Sequence, residues 1–220
     1  MEDSVSTTPV NLDYPDGLAI ARVAEALVEA ALAEVQPHLQ GDSGSLPSAM
    51  FEVGLSYSKT TRACALRRAA PLADLPYLRA LLEAASVSLG GPADLRERQL
   101  NVICRRYLPG HGLEPHRDLP EMIEEDIYGC VLSNTSGSAL EFHRLREPEP
   151  EGHHGGREES RISPSAFRVD ELPGTCFRQR GAARFEWNHG IEKVSYGERW
   201  SVTWRWIRTD SVWFREDSAL

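Results

Sequence analysis

His116 and Asp118 are the residues best placed by type and spacing to grip a metal ion. They stand two residues apart at the end of residues 105–118, Arg-Arg-Tyr-Leu-Pro-Gly-His-Gly-Leu-Glu-Pro-His-Arg-Asp, just after an apolar, strand-like run. On a strand, residues i and i+2 point to one face, so an imidazole and a carboxylate would lie side by side. A His-x-Asp also occurs as an ordinary surface pair, so partners must be found. His189 in Phe185-Glu186-Trp187-Asn188-His189-Gly190-Ile191 is one. Strand alternation would put Phe185, Trp187, His189 and Ile191 on one face, which equally suits a core histidine. Two imidazoles and one carboxylate would leave three octahedral positions of an Fe(II) open on one side. Zinc is the competing metal, but the His-Glu-x-x-His of zinc hydrolases is absent.

Arg199-Trp200-Ser201-Val202-Thr203-Trp204-Arg205-Trp206 alternates strictly. Arg199, Ser201, Thr203 and Arg205 form one face; Trp200, Val202, Trp204 and Trp206 form the other. The tryptophan face must pack on something, and the N-terminal helices are the expected partner. The polar face is either a solvated edge or a lined interior. Buried guanidiniums require paired anions, and Arg with a neighbouring hydroxyl suits a small dianion. Tyr107, before the Pro109-Gly110 turn, could reach the same pocket or simply end a strand at its rim. An iron site beside a dicarboxylate pocket fits O2 activation driven by decarboxylation of 2-oxoglutarate, with the keto-acid end on the metal and the far carboxylate on an arginine.

The elements that must position these groups divide the chain in two. Residues 1–16 are Ser/Thr/Pro/Asp-rich and read as a flexible N-terminus. Residues 17–98 read as a helical region packed on the core. Ile20, Val23, Ala24, Leu27, Ala31 and Leu32 predict one amphipathic helix over 18–39. Residues 51–58 alternate weakly as a strand, and 60–76 read as irregular. Asp74 is the expected cap of a second helix bearing Leu75, Leu78, Leu81 and Leu82, which ends at Gly90-Gly91-Pro92. From Leu100 short strand-like runs take over, at 102–107, 127–132, 139–142, 167–169, 175–178, 184–189 and 199–207, as in a β-sandwich or barrel. Residues 144–164 read as a loop insertion, and 210–220 as a tail beyond a core of 99–209.

The 220 residues suit one domain with a sizeable core, or a core with an N-terminal appendage. No apolar run approaches a bilayer span, so no membrane role is expected. The N-terminus is unlike a secretory signal. Cys64, Cys104, Cys130 and Cys176 lack metal or redox spacing, and predict reduced thiols of an intracellular protein, cytoplasmic or nuclear. A net charge of −9 argues against tight, sequence-blind binding to a long duplex. Arginines nevertheless cluster at Arg62, Arg67 and Arg68, at Arg105, Arg106 and Arg117, and at Arg178, Arg180 and Arg184. They are either a local anion-binding surface or solvated charge.

Order and spacing over residues 99–207 resemble the AlkB-like family of Fe(II)/2-oxoglutarate dioxygenases. Arg106-Tyr107-x-Pro109-Gly110-x-Gly112-Leu113-x-Pro115-His116-x-Asp118, the run 127–133, Trp187-Asn188-His189-Gly190-Ile191 and Arg199-x-Ser201-x-Thr203-x-Arg205 carry the likeness. It implies an α+β fold, a double-stranded β-helix (jelly roll) with flanking N-terminal helices. It implies His116, Asp118 and His189 as iron ligands, and Arg199 as partner of the far carboxylate of 2-oxoglutarate. Arg205 and Ser201 fall on the signature strand, and Tyr107 on the tyrosine that bonds the co-substrate. The chain departs from the pattern at Arg105, where many members carry Asn, and at Ser201, where the DNA-repair members commonly carry Asn. The resemblance implies Fe(II), 2-oxoglutarate and O2 as cofactors, and oxidative N-dealkylation of nucleobases in RNA or single-stranded DNA as the activity. Flipped or single-stranded bases would be required, with Arg62, Arg67, Arg68, Phe51 and Tyr57 as candidates for phosphate contact and stacking. The alternative substrate is a protein side chain or small molecule, and a non-catalytic binding module is the third reading. A monomer is the default expectation.

Overall fold

The computed structural model describes residues 15–39, 46–58, 63–96, 98–145 and 162–210. Most of the expected flexible terminus, tail and loop insertion, and Arg62, lie outside the described residues. In chain order the elements are β1 (Leu18–Arg22), α1 (Glu25–Val35), β2 (Ser48–Ser58), β3 (Ala63–Arg68), α2 (Pro76–Ser88), β4 (Leu100–Tyr107), β5 (Leu113–His116), β6 (Ile123–Asn134), β7 (Leu140–Leu145), β8 (Ile162–Val169), β9 (Thr175–Gln179), α3 (Gly181–Phe185), β10 (Trp187–Ile191) and β11 (Arg199–Ile207).

The strands form a seven-stranded sheet, β1-β9-β6-β11-β4-β2-β3, and a four-stranded sheet, β5-β10-β7-β8. Their ladders are antiparallel. The inner faces meet in one apolar cluster, with Tyr107 and Phe177 from the large sheet against Leu140, Phe142, Trp187 and Ile191 from the small one. The spacing of short strands predicted such a β-sandwich, and the family resemblance its jelly-roll form. β11 lies at its centre, paired with β4 on one side and β6 on the other.

The other face of the large sheet carries the helices. Val28, Ala31 and Val35 of α1 and Leu78, Leu81, Leu82 and Ala85 of α2 pack with Trp200, Val202, Trp204 and Trp206 of β11. The tryptophan face is therefore roofed by the N-terminal helices, as its alternation required. Each valine or leucine buried here stabilises the fold by roughly 1.5–3 kcal/mol. Buried indole N–H groups need acceptors: Trp204 Nε1 donates to Ser86 Oγ at 3.0 Å and Trp206 Nε1 to the Leu95 carbonyl at 3.2 Å.

Several local expectations are corrected. Residues 18–22 are a strand rather than the start of a helix. Gly17, at φ +85°, lies so close to the Arg180 carbonyl that a Cβ would meet its oxygen at 2.1 Å. The chain then pairs with the free edge of β9, from Leu18 opposite Gln179 to Arg22 opposite Thr175. Leu-Ala-Ile-Ala is a good helical sequence, but tertiary pairing overrides a weak propensity. Residues 63–68, expected to be irregular, form β3 through pairing with β2, although Ala-Cys-Ala-Leu-Arg-Arg has almost no β-formers. Helix α2 starts from Leu75 with Pro76 in its first turn, and Asp74 instead ends a short 3-10 turn without capping the helix. Pro at the first helical position needs no N–H partner, which removes the need for the cap.

Candidate active site

β5 ends at His116, so Asp118 stands just beyond the strand rather than on it. The expected same-face alternation therefore does not place the carboxylate. It is held instead by Arg205, whose Nη1 donates to Asp118 Oδ2 at 3.0 Å. Residues 184–185 also depart from expectation. Gly181, at φ +52°, opens the single-turn α3, which includes Arg184 and Phe185, and the strand begins only at Trp187. Phe185 thus leaves the face it was expected to share with His189.

His189 is still brought to His116. The two are directly opposed in the β10–β5 ladder, with ring centroids 4.5 Å apart and planes tilted by 49°. Together with Asp118 they line one cavity with Tyr107, Arg105, Gln179, Arg199, Ser201, Thr203 and Arg205. Every residue proposed from the sequence for the metal and co-substrate therefore faces one space. Among the described residues no three His, Cys, Asp or Glu side chains are already closed into a metal-binding set.

The charge states of Asp118 and His189 are those a metal needs. Burial disfavours the Asp118 carboxylate, but Arg205 first, then His189 and His116, outweigh it and hold its pKa down at about 2. Burial lowers the His189 pKa to about 3 against the opposing pull of Asp118, so its imidazole is neutral near pH 7. His116 Nδ1 lies 2.9 Å from the Glu114 carbonyl. An Nδ1–H donated there leaves Nε2 with the lone pair. Gln179 supplies the matching group for His189. Its Nε2 lies 3.5 Å from His189 Nδ1, and its Oε1 is buried without a hydrogen bond. Turning the amide over would let that orphaned oxygen accept from Nδ1–H, freeing His189 Nε2 for a metal. The donor types, the charge states of Asp118 and His189 and this orphaned atom fit a divalent cation such as iron.

Arg199 was expected to face a co-substrate carboxylate, and it already holds one of the protein's own. Its Nε and Nη2 donate to the two oxygens of Glu171, each at 2.7 Å, and its Nη1 donates to Ser201 Oγ at 2.8 Å. The pair is almost wholly buried, at 2% and 1% side-chain exposure. Burial works against the charge of Arg199, and Glu171 more than restores it, raising the pKa. The guanidinium also sits 5.1 Å above the Tyr107 ring.

Glu171 and Gln179 were missed by sequence reasoning, and Arg184 was read only as part of an arginine cluster, surface or solvated. Gln179 left a signal, because it alternates with Thr175 and Phe177 on the face of β9 opposite the charged Arg178. Arg184 is buried at 1% exposure and donates through Nη1 to the Asp118 carbonyl, with Nε and Nη2 unpartnered. It anchors the turn that carries Asp118. Nothing in the loop sequence 170–174 marks Glu171.

Arg67 and Arg68 are exposed on β3, the outermost strand of the large sheet. Phe51, a stacking candidate, is instead 1% exposed in the core beneath the helices. The Tyr57 side chain lies outside what the structure describes.

A structure of similar shape settles the architecture. A 2OG-Fe(II) oxygenase family oxidoreductase from Burkholderia pseudomallei superposes with a TM-score of 0.53 over 90% of this chain and 88% of that one, at 15% identity. The chain has the jelly-roll fold of that oxygenase. A prolyl-4-hydroxylase from Pseudomonas putida gives a TM-score of 0.49 at 15% identity, over 87% of this chain and 92% of that one. No protein-family model matches the chain. An uncharacterized mimivirus protein, L905 of Acanthamoeba polyphaga mimivirus, is 29% identical over 97 residues, which are 44% of this chain and 38% of that protein. The match therefore spans well under half of the curated relative's length. No described helix is long and apolar enough to cross a membrane.

Proposed function

We propose that the chain is an Fe(II)/2-oxoglutarate-dependent dioxygenase. The observation that carries this is the cross-strand pair His116–His189 beside an Asp118 held ionised by Arg205, all lining one cavity with further arginines. His116, His189 and Asp118 would hold the iron, His116 and His189 through Nε2. Bound there with 2-oxoglutarate and O2, iron supplies oxidation of a substrate C–H bond, with succinate and CO2 as co-products. The protein's own groups orient and exclude. Arg205 fixes Asp118, the Glu114 carbonyl and Gln179 fix the imidazoles, and Leu113, Leu140, Phe177 and Ile191 wall the cavity from bulk water. Tyr107 and Thr203 contribute hydroxyl-bearing side chains to the lining.

The substrate reading is the AlkB-like one, oxidative removal of N-alkyl groups from nucleobases in RNA or single strands, supported by the motif order from Tyr107 to Arg205. Hydroxylation of an N-methyl carbon gives a hemiaminal that releases formaldehyde and the free N–H. A second reading, oxidation of a protein side chain or small molecule, is favoured by the burial of Phe51 and by the net charge of −9.

Incubation with Fe(II), 2-oxoglutarate and O2 tests the class: succinate should form in wild type and not in His116→Ala. Turnover surviving in that variant would remove the metal assignment. Formaldehyde released from methylated oligonucleotides but not methylated peptides is the result expected for the nucleobase reading, and the reverse supports the second.

A further inference from the structure

Three guanidiniums line the cavity: Arg105, Arg199 and Arg205. Two are engaged by the protein's own carboxylates, Arg199 by Glu171 and Arg205 by Asp118. The Arg105 guanidinium has no hydrogen-bond or ion-pair partner among the described residues. It lies on β4 directly opposite Ser201 of β11, two residues before Tyr107. Its neighbours in charge are Tyr107, Arg205, Asp118 and Arg199, and burial already disfavours its cation. The cavity thus contains one cation more than its anions balance, before any metal adds two further positive charges. A partly buried guanidinium without an anion is unfavourable unless a ligand completes it.

Arg199 is held in a way that does not favour exchange. An incoming carboxylate on Arg199 would have to replace two hydrogen bonds of 2.7 Å and strand the buried Glu171. Nor is Glu171 on a free flap. Its carbonyl accepts from Asn134 Nδ2 at 3.0 Å. Just after it, Thr175 N donates to the Leu172 carbonyl at 2.9 Å and Gly174 N to the Val131 carbonyl at 2.8 Å.

Resting on the dioxygenase reading above, we infer that Arg105, and not Arg199, receives the distal carboxylate of the 2-oxo dicarboxylate co-substrate. Glu171–Arg199 is then a permanent ion pair that closes the cavity behind it. The departure of Arg105 from the family pattern and the occupation of Arg199 by Glu171 become two halves of one change. The anion receptor has moved one strand over, from β11 to β4. Ser201, engaged by Arg199, keeps that guanidinium turned toward Glu171.

The test is calorimetric binding without O2, with Mn(II) in place of iron. The ligands are 2-oxoglutarate and 2-oxopentanoate, which has the same chain with a methyl group for the distal carboxylate. Wild type should prefer 2-oxoglutarate. Arg105→Gln should lose about 10- to 150-fold of that preference, the effect of one charge-assisted hydrogen bond, with no fall in melting temperature. Arg105→Lys should restore part of it. Glu171→Gln should lower the melting temperature, because Arg199 loses its carboxylate, and keep the preference. Tighter 2-oxoglutarate binding by Glu171→Gln, with Arg105→Gln unchanged, would show Arg199 as the receptor and overturn the inference alone. Wild type binding neither keto acid would overturn the dioxygenase reading itself.

Discussion

At the scale of single residues the site is a set of charges held against burial. His189 and Asp118 both have pKa values lowered in the folded protein, to about 3 and about 2. Between about 6.5 and 3 the unfolded chain takes up a proton at His189 that the folded chain does not. Between about 3.8 and 2 the same holds for Asp118. Both contributions are present at neutral pH and lost on acidification, so stability of the metal-free protein should fall from about pH 6.5 downward. The slope from His189 approaches about 1.4 kcal/mol per pH unit. Denaturant midpoints across this range should flatten in His189→Gln, and an unchanged slope would show that His189 titrates normally. Arg205 acts through Asp118, so Arg205→Gln should weaken metal binding about 10- to 100-fold, as outer-sphere changes do. A metal titration read by fluorescence of the tryptophans would check it, and undiminished affinity would separate Arg205 from the ligand set. His116, Asp118, His189, Arg199 and Arg205 were legible as candidates from residue type and spacing, while their separate roles came from the family resemblance and Arg199 proves to hold Glu171. Glu171 was not legible, since its role exists only through a contact 28 residues along the chain.

At the scale of elements, β11 was the most legible, since strict alternation fixed both its faces. Its polar face lines the cavity and its tryptophan face supports α1 and α2. The elements misread were those whose conformation depends on a neighbour. β1 is a helical sequence captured by the edge of β9, β3 exists through β2, and α3 is a turn set by Gly181 between two strands. The division of labour on β11 has a measurable consequence. Leu81 of α2 is fully buried on the tryptophan side and does not line the cavity. Leu81→Ala should cost about 2–5 kcal/mol of stability while metal and keto-acid affinities stay at wild-type values. Loss of binding in a variant still folded at the assay temperature would mean that the helical layer tunes the site as well as supporting it.

At the scale of the whole molecule, three thiols report on the two-layered core. Cys104, Cys130 and Cys176 are free and buried on β4, β6 and β9, all in the large sheet. Burial pushes the thiols of Cys104 and Cys130 far above their ordinary range and that of Cys176 up to about 11. The thiolate is the reactive form, so these groups are doubly protected, by exclusion of reagent and by suppression of the anion. In a Cys64→Ser background, an alkylating reagent at pH 8 should label none of them until the sheet opens, and then all three together. Because β4 and β6 flank β11 and β9 borders β6, no one of these strands can leave without breaking ladder bonds to a strand that holds another thiol or the site. Ligands that bind only the folded site must therefore protect all three. Mn(II) with 2-oxoglutarate at 100 times its dissociation constant should add about 2.7 kcal/mol and move the labelling midpoint in denaturant by a common amount for each thiol. Protection of one thiol without the others would show that the large sheet opens in parts, and that the site is coupled to only one of them.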